Sequence, residues 1–456
     1  MITWSPCRMK WTRDLVLVYV NVLLYALCFQ FQKPIEPYLV DKLGHGKGDA
    51  GVAYAWLQTF FGLVQVPGSF VMGLVLDRYG TRAGYVAVFL GSAASYAIMG
   101  VATNMWILYL SKVPAALQHA FLVSQTMVAQ VSSEEDRAEA LGLLMTAYTI
   151  GASIGPLIGG MVGDEGDYYT GAWLATAGSL LSVYLSLLMP AFPGRTEEHT
   201  SGKDAHEPSE VVSGRPLTPW DGLKRVIGNP IVLSLLGTKL LTTIANSLYR
   251  SANAIIFKEK FHVKPGGQGL QMSLMSACNA LSGAFIVGPV SRRFSTGNLV
   301  IGCLLWMAAC FGGMAITGPS SSIIDIARTV VPHMHASVPH ISLAIAQSMA
   351  AFAMATGLTA LSTRQVEDGL KGTLMGVEHG VFSMTSVGIP SLGILLLRKL
   401  DIFGMCTLCG CMLLAVVIIW QSVAAPRIRM VEAEKTMSQE LQEPALTSKA
   451  NSPKYE

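Results

Sequence analysis

The chain has 456 residues, of which 51% are hydrophobic and only 13% are charged. So few charges cannot cover the surface of a soluble protein of this length, and apolar runs long enough to cross a bilayer recur along most of it. The formal net charge of +3 is too small to indicate a nucleic-acid partner. We therefore expect an integral membrane protein surrounded by the lipid bilayer.

The apolar runs predict twelve membrane-spanning helices, which makes the fold class all-α and polytopic. In chain order the predicted spans cover approximately residues 14–40, 51–76, 83–102, 106–131, 138–162, 172–190, 230–257, 270–291, 297–317, 338–362, 373–398 and 402–422.

A polar stretch rich in Glu, Ser, Gly and Pro separates the first six spans from the last six. Such a composition is typical of a flexible linker. The predicted organisation is an N-terminal arm at 1–13, a six-helix bundle at 14–190, a linker at 191–229, a second six-helix bundle at 230–425 and a disordered tail at 426–456.

The distribution of Lys and Arg predicts the orientation. If the N-terminus is cytoplasmic, 20 of the 32 Lys and Arg residues lie in the arm, loops, linker and tail of that side, and 9 lie on the other. Positive residues concentrate on the cytoplasmic side of membrane proteins. Both termini and the linker are therefore predicted to be cytoplasmic; whether the membrane is the plasma membrane or an internal one stays open.

The two halves contain similar sequences. PGSFVMGLVLDRYGTR, which begins at Pro67, aligns with SGAFIVGPVSRRFSTG, which begins at Ser282. The two bundles are thus expected to be pseudo-symmetric. Internal repeats of this kind are typical of transporters whose substrate site lies between two moving halves, near the middle of the bilayer.

Two motifs resemble signatures of the major facilitator superfamily. One is G-x-x-x-D-R-x-G-x-R between spans two and three, formed by Gly73, Asp77, Arg78, Gly80 and Arg82. The other is GASIGPLIGG in span five, with Gly151, Gly155, Pro156, Gly159 and Gly160. The stretches IEPYLVDKLG, WLQTFFGLVQVPG, KVPAALQHAF and EEDRAEALGLL further resemble organic cation transporter-like members.

The resemblance implies a role for Asp77. A short cytoplasmic turn explains the glycines and bases of the first motif, but an acid beside an apolar helix end is costly unless it has a partner. In this superfamily the acid contacts the other half and helps to close the cytoplasmic side. We expect Asp77 to meet the start of span eleven, near Gly372 and Thr373.

Two interpretations of the span-five motif stay open. Glycines at a spacing of four allow a neighbouring helix to approach closely, and Pro156 weakens the local hydrogen-bond ladder. The resemblance additionally implies a seal between the halves that is commonest in proton antiporters.

Polar residues inside the spans are the candidates for the substrate cavity, because polar and charged groups in hydrocarbon normally face a cavity or a partner. At helical spacing, they predict one stripe on each of spans one, four and seven. In span one the stripe contains Asn21, Tyr25, Gln32 and Glu36; in span four it includes Lys112 and His119; in span seven it includes Lys239, Asn246 and Arg250.

Several of these charges have more than one interpretation. Lys33 and Arg250 could reach the headgroups from the ends of their spans. Glu378, in span eleven, is a candidate for substrate binding or coupling, and His119 for titration near neutral pH. If all embedded charges face the cavity, about two positive charges are in excess, which favours an anionic or zwitterionic solute, whereas the resemblance favours organic cations.

The predicted function is that of a secondary active transporter, which moves a small organic solute by alternating access, with protons as a candidate coupling ion. The alternative is a transporter-like sensor or scaffold that binds a ligand without cycling. No P-loop or metal-ligand pattern occurs, and the cysteines of CTLCGC lie in a membrane span without a nearby histidine. We therefore expect no catalytic residues, no metal and no cofactor, and we do not expect an enzyme.

Overall fold

A computed structural model of the chain describes residues 12–44, 49–132, 137–191, 219–283, 296–318, 335–366 and 371–427. Within these ranges the regular structure is helical, and nine helical segments are long and apolar enough to cross a membrane. The all-α, polytopic fold class is therefore confirmed. The second copy of the internal repeat falls largely on 284–295, outside the described residues.

The first half contains seven helices. They are α1 (Arg13–Phe31), α2 (Glu36–Leu43), α3 (Ala50–Gly100), α4 (Met105–Ser111), α5 (Ala120–Val131), α6 (Arg137–Asp164) and α7 (Thr170–Leu187).

The described part of the second half contains six helices. They are α8 (Pro219–Gly228), α9 (Pro230–Ile255), α10 (Pro265–Leu281), α11 (Thr296–Ile316), α12 (Ser337–Arg364) and α13 (Lys371–Ile419). The helix α8 occupies the end of the predicted linker, where Val226 is buried against Val232, Leu236 and Leu374. One-turn π-helical segments follow α9 and α13, at Ile256–Lys260 and Trp420–Ala424.

Prolines break two of the predicted spans. In span one, α1 ends at Phe31 and α2 begins at Glu36; Pro34, between them, has no N–H for the helical ladder. In span four, α4 ends at Ser111 and a 3₁₀ turn, Pro114–Leu117, precedes α5. The prediction of one continuous polar stripe along span four is therefore wrong, because Lys112 and His119 flank this break.

Two long helices contain a single residue that reverses the chain. Gly80 has φ 78° and ψ 177°, outside the helical region, and it separates the two helical parts of α3. Asp401, with φ 54°, does the same in α13. Positive φ is unstrained for glycine, which explains why the first motif requires Gly80.

Packing within and between the halves follows the helix order. α1 packs on α6 and α3 packs on α7 in the first half, while α9 packs on α13 and α11 packs on α12 in the second. Contacts of α6 with α10 and of α3 with α13 join the halves. Large apolar side chains such as Trp106, Phe70 and Ile418 are exposed, as expected for helices that face lipid.

Candidate functional site

A buried ion pair lies in the first half, at the point where the helices of spans one and four are interrupted. Glu36 is the first residue of α2, and its Oε1 pairs with Nζ of Lys112, which follows α4. Gln58 of α3 donates to the other carboxylate oxygen over 2.8 Å. The breaks thus bring two charged residues that are 76 positions apart into contact, and each oxygen of the carboxylate has a partner.

Lys33 lies beside this pair and faces aromatic rings. Its ammonium is 4.9 Å from the ring centre of Phe29 and 5.7 Å from that of Phe61. The ammonium of Lys112 is 5.6 Å from the ring centre of Phe61 as well. Such distances allow cation–π attraction. Lys33 also lies close enough to Arg250, in the other half, for the two charges to interact.

Arg250 is a cation of the second half and lies on α9. Its side chain is exposed, and Tyr148 of α6, which belongs to the first half, lies near it. Tyr148 packs edge-to-face on Phe121, with ring centres 5.5 Å apart. Among the described residues, neither Arg250 nor Lys33 forms an ion pair with a carboxylate.

The second half contains its own buried ion pair. Lys239 Nζ of α9 is 2.5 Å from Glu378 Oε2 of α13. Thr359 and Ser362, one turn apart on α12, donate to the two oxygens of Glu378 over 3.2 and 2.9 Å. His379, the neighbour of Glu378, lies outside the described side chains. Three helices therefore meet at one carboxylate.

The remaining predicted cavity residues differ in what they contact. Asn21 donates to Ser186 over 3.2 Å and joins α1 to α7. Tyr25 donates to the Gln118 carbonyl over 2.9 Å, and Asn246 accepts from Gln347 over 2.7 Å. These three polar groups stabilise helix packing.

Two further residues keep unused polar atoms near the same space. The Nε2 atoms of Gln32 and His119 are buried and have no hydrogen-bond partner among the described residues. Gln32 directly precedes Lys33, and His119 directly precedes α5. A buried polar atom without a partner is costly, so both residues stay candidates for contact with a solute.

The span-five motif packs on both halves. A Cβ built on Gly151, Gly155 or Gly159 would lie 2.0 to 2.6 Å from backbone oxygens of α1, within the first half. One built on Gly160 would lie 2.6 Å from the Pro265 carbonyl oxygen of α10, in the second half. The Pro156 carbonyl in turn lies against Gly269. The motif thus combines close packing within one half with contact between the halves.

The first motif shows only part of its predicted geometry. Arg82 donates to the Leu187 carbonyl at the end of α7 over 2.6 Å, a favourable place for a cation. Arg78 is exposed, and its guanidinium lies 5.6 Å from the Tyr79 ring centre. Gly73 has open space beside it. The side chain of Asp77 lies outside the described side chains, so its gating role stays a prediction.

Charged residues that sequence reasoning missed join the halves at one end of the bundle, which we call the junction. Arg398 pairs with Asp49 and with Glu259, each over 2.5 Å. Lys258 pairs with Asp41 over 2.7 Å. A topological signal was present: the loops after spans one and seven, which contain Asp41 and Asp49 in the first and Lys258 and Glu259 in the second, are predicted to lie at the same membrane face.

The fold and site define a class of protein: a helical membrane protein built of two packed halves, each with a buried ion pair. The major facilitator superfamily profile matches residues 18–324, which is most of the chain. The chain belongs to the major facilitator superfamily.

Relatives and solved structures agree with this assignment. The chain is 26% identical to solute carrier family 22 member 18 of Rattus norvegicus, over 84% of this chain and 88% of that protein. It is 25% identical to the class C tetracycline resistance protein of Escherichia coli, over 84% and 89%. Its fold is similar to the human organic anion transporter MFSD10 (TETRAN), with TM-score 0.61 and 15% identity over 89% of this chain and 98% of that one.

Proposed function

We propose that the protein is a secondary active transporter that moves a small organic anion across a membrane by alternating access. The observation that carries the choice of an anion is the pairing of charges inside the bundle. Both buried carboxylates, Glu36 and Glu378, are held by lysines, while Lys33 and Arg250 are not paired with acids in the part of the chain that the structure describes. The interior is therefore positive, which favours an anion.

The aromatic surroundings indicate what the rest of the solute is like. Phe29 and Phe61 lie beside Lys33, and Tyr148 with Phe121 lies beside Arg250. A planar apolar body fits between such rings, while its acidic group binds the two cations. Gln32 and His119 supply further polar contacts to the same solute.

The similar proteins do not agree on the charge of the transported solute. The resemblance to organic cation transporter-like proteins favours a cation, and the similar fold of an organic anion transporter favours an anion. The two interior carboxylates support the anion for this chain, because a cationic solute needs an acid that is free to bind it, and both acids are paired with lysines.

The predicted topology places the junction on the outer side of the membrane. With a cytoplasmic N-terminus, Asp41, Asp49, Lys258 and Arg398 all lie at the outer face, so the halves are closed outside and open toward the cytoplasm. Tags at residues 1 and 456 should then both resist protease added to intact cells. Cleavage of either tag would reject this orientation.

Solute flux in proteoliposomes tests the function. Radiolabelled benzoate should enter vesicles that contain the protein faster than vesicles without it, whereas tetraethylammonium should not. Arg250→Gln should reduce benzoate uptake at least tenfold. Arg225→Gln, which removes an exposed cation from α8, is the matched control and should leave uptake unchanged.

The outcomes separate the alternatives. If the protein transports tetraethylammonium and Arg250→Gln does not reduce this uptake, the solute is a cation and the proposal of an anion is wrong. Binding of benzoate without flux, seen as a rise in melting temperature, would favour the non-cycling sensor. A pH gradient applied across the same vesicles tests protons as the coupling ion, since a proton-coupled carrier concentrates its solute when such a gradient is imposed.

A further inference from the structure

The surroundings of Glu378 contain groups that can both donate and accept hydrogen bonds. Ser362 Oγ, which donates to one oxygen of Glu378 over 2.9 Å, lies 3.0 Å from the Leu358 carbonyl oxygen and 3.1 Å from that of Thr359. Thr359 Oγ1 lies 3.2 Å from the other carboxylate oxygen and accepts from Lys239 over 2.8 Å. A hydroxyl group has one donor and two acceptor sites.

If Glu378 is protonated, its O–H group can therefore donate a hydrogen bond to a neighbouring hydroxyl group without any movement of the backbone. The new O–H of Glu378 donates to Ser362 Oγ, and the serine hydroxyl turns to donate to the Leu358 or Thr359 carbonyl. Lys239 keeps its hydrogen bond to Thr359 and loses the negative charge of its partner. Each polar atom of the cluster has a partner in both protonation states, which is uncommon for a buried carboxylate.

Glu36 has no such arrangement. Its two partners are the ammonium of Lys112, which can only donate, and the amide of Gln58, which donates through its nitrogen. A proton on Glu36 would therefore require the whole Gln58 amide to turn so that its oxygen accepts, whereas at Glu378 the rotation of a hydroxyl group is enough. Glu36 is suited to remain ionised while Glu378 can change its charge.

We propose that Glu378 is the proton-binding site of this transporter, with Ser362 and Thr359 as a hydroxyl switch and Lys239 as the cation that protonation releases. The inference rests on the proposed transport function. When the proton binds, the Lys239–Glu378 pair changes from neutral to one positive charge, and that charge becomes available to the solute anion.

The charged groups around Glu378 are few in the described part of the chain. α9 contributes Lys239, and α12 contributes hydroxyl groups. α8 packs on the first turns of α13 through Val226, with Lys224 and Arg225 exposed. Arg398, which contacts Asp49, lies about 30 Å from Glu378 along α13 at 1.5 Å per residue. α11 packs on the part of α13 that follows Asp401.

Infrared difference spectroscopy tests this site without any solute. Purified protein in lipid is titrated between about pH 8 and pH 5, where exposed carboxyl groups are mostly ionised, and the C=O stretch of a protonated buried carboxyl group is followed. The wild-type protein should gain one such band on acidification. Glu378→Gln should abolish it, whereas Glu36→Gln, the matched control, should retain it.

A second variant keeps the test valid if Glu378→Gln alone does not fold. The double variant Lys239→Gln with Glu378→Gln removes both charges and leaves no unpaired lysine, and it should lack the band as well. A band that persists in both variants, or that disappears in Glu36→Gln, overturns the proposal. Because no solute is present, these outcomes are independent of whether benzoate is transported.

Discussion

Arg398 binds Asp49 across the two halves through two hydrogen bonds, from Nε and Nη2 to the two carboxylate oxygens, both over 2.5 Å. Asp49 also caps α3 by accepting from the backbone N–H groups of Gly51 and Val52. A bidentate Arg–carboxylate pair is stronger and more directional than an ordinary surface ion pair. Arg398 therefore links the start of one helix to the opposite half at the point where the junction closes.

Removing this link should open the junction without unfolding the protein. Arg398→Gln loses an interaction of about 1 kcal/mol, since the pair is partly exposed, and the open population should rise about fivefold. A cysteine at Ser391, whose hydroxyl contacts Thr59 of the other half over 2.8 Å, should react correspondingly faster with a membrane-impermeant maleimide added outside. Lys399→Gln, the loss of an exposed neighbouring cation, should leave the rate unchanged; equal acceleration by both variants would contradict the role of Arg398.

The same pair predicts how the junction responds to pH. The hydrogen bonds from Arg398 hold the pKa of Asp49 below its ordinary value, against a smaller opposing effect of burial. The stabilisation by a carboxylate with a depressed pKa is complete above the ordinary pKa of about 4 and is lost as the pH falls through the depressed value. Labelling of the Ser391→Cys reporter should therefore be constant from about pH 8 to pH 5, apart from the reagent's own pH dependence, and accelerate only in stronger acid. Acceleration near pH 6 would contradict the assignment to Asp49.

Two adjacent glycines of the span-five motif should behave differently when replaced. A methyl group on Gly159 would lie 2.0 Å from the Phe31 carbonyl oxygen, within one half, whereas one on Gly160 would lie 2.6 Å from the Pro265 carbonyl oxygen, in the other half. Gly159→Ala should thus lower the melting temperature. Gly160→Ala should leave the melting temperature nearly unchanged and accelerate labelling of the junction reporter, because the two halves can separate to relieve the overlap.

Gly142→Ala is the control for this pair, since open space surrounds Gly142 on the same helix α6. It should change neither the melting temperature nor the labelling rate. If Gly160→Ala destabilises the protein as much as Gly159→Ala does, the contact between α6 and α10 belongs to the permanent core and does not open during transport.

The fold could be predicted from the sequence because lipid imposes long apolar helices, and because the two motifs occur at the expected spans. The glycines of the span-five motif also pack closely against a neighbouring helix, as their spacing predicted. The polar stripe predicted for span four was wrong, since α4 ends at Ser111 and a 3₁₀ turn that begins at Pro114 lies between Lys112 and His119. Helical spacing does not continue across such a break.

The sequence pattern also could not predict which charged residues pair with each other. Lys239 and Glu378 were both recognised as embedded charges, but their pairing depends on how α9 and α13 pack, and a sequence pattern contains no register between two helices 139 residues apart. Their pairing changes the charge of the interior, and it is the reason why the proposed function assigns solute binding to Lys33 and Arg250, whose positions near span ends also allowed contact with the headgroups.

The last prediction concerns Asp77. In the structure the halves meet at the junction, so a contact between Asp77 and the start of α13 at Lys371 would form in the opposite state of the cycle. A helix N-terminus attracts a carboxylate by about 0.3 to 2 kcal/mol, which shifts a two-state equilibrium about 2- to 30-fold. Asp77→Asn should therefore fold and insert normally, but populate the state that is open to the cytoplasm and transport more slowly.

A cysteine at Gly372 reports this shift, because it should react faster from the cytoplasmic side in Asp77→Asn than in the parent. Asp14→Asn, which removes an acid from the first turn of α1 at the same membrane face, is the control and should change neither labelling nor transport. If Asp77→Asn also leaves both unchanged, Asp77 acts only as a turn residue at the membrane surface. In that event the gating role implied by the motif does not apply to this chain, and closure of the cytoplasmic side must rest on other contacts.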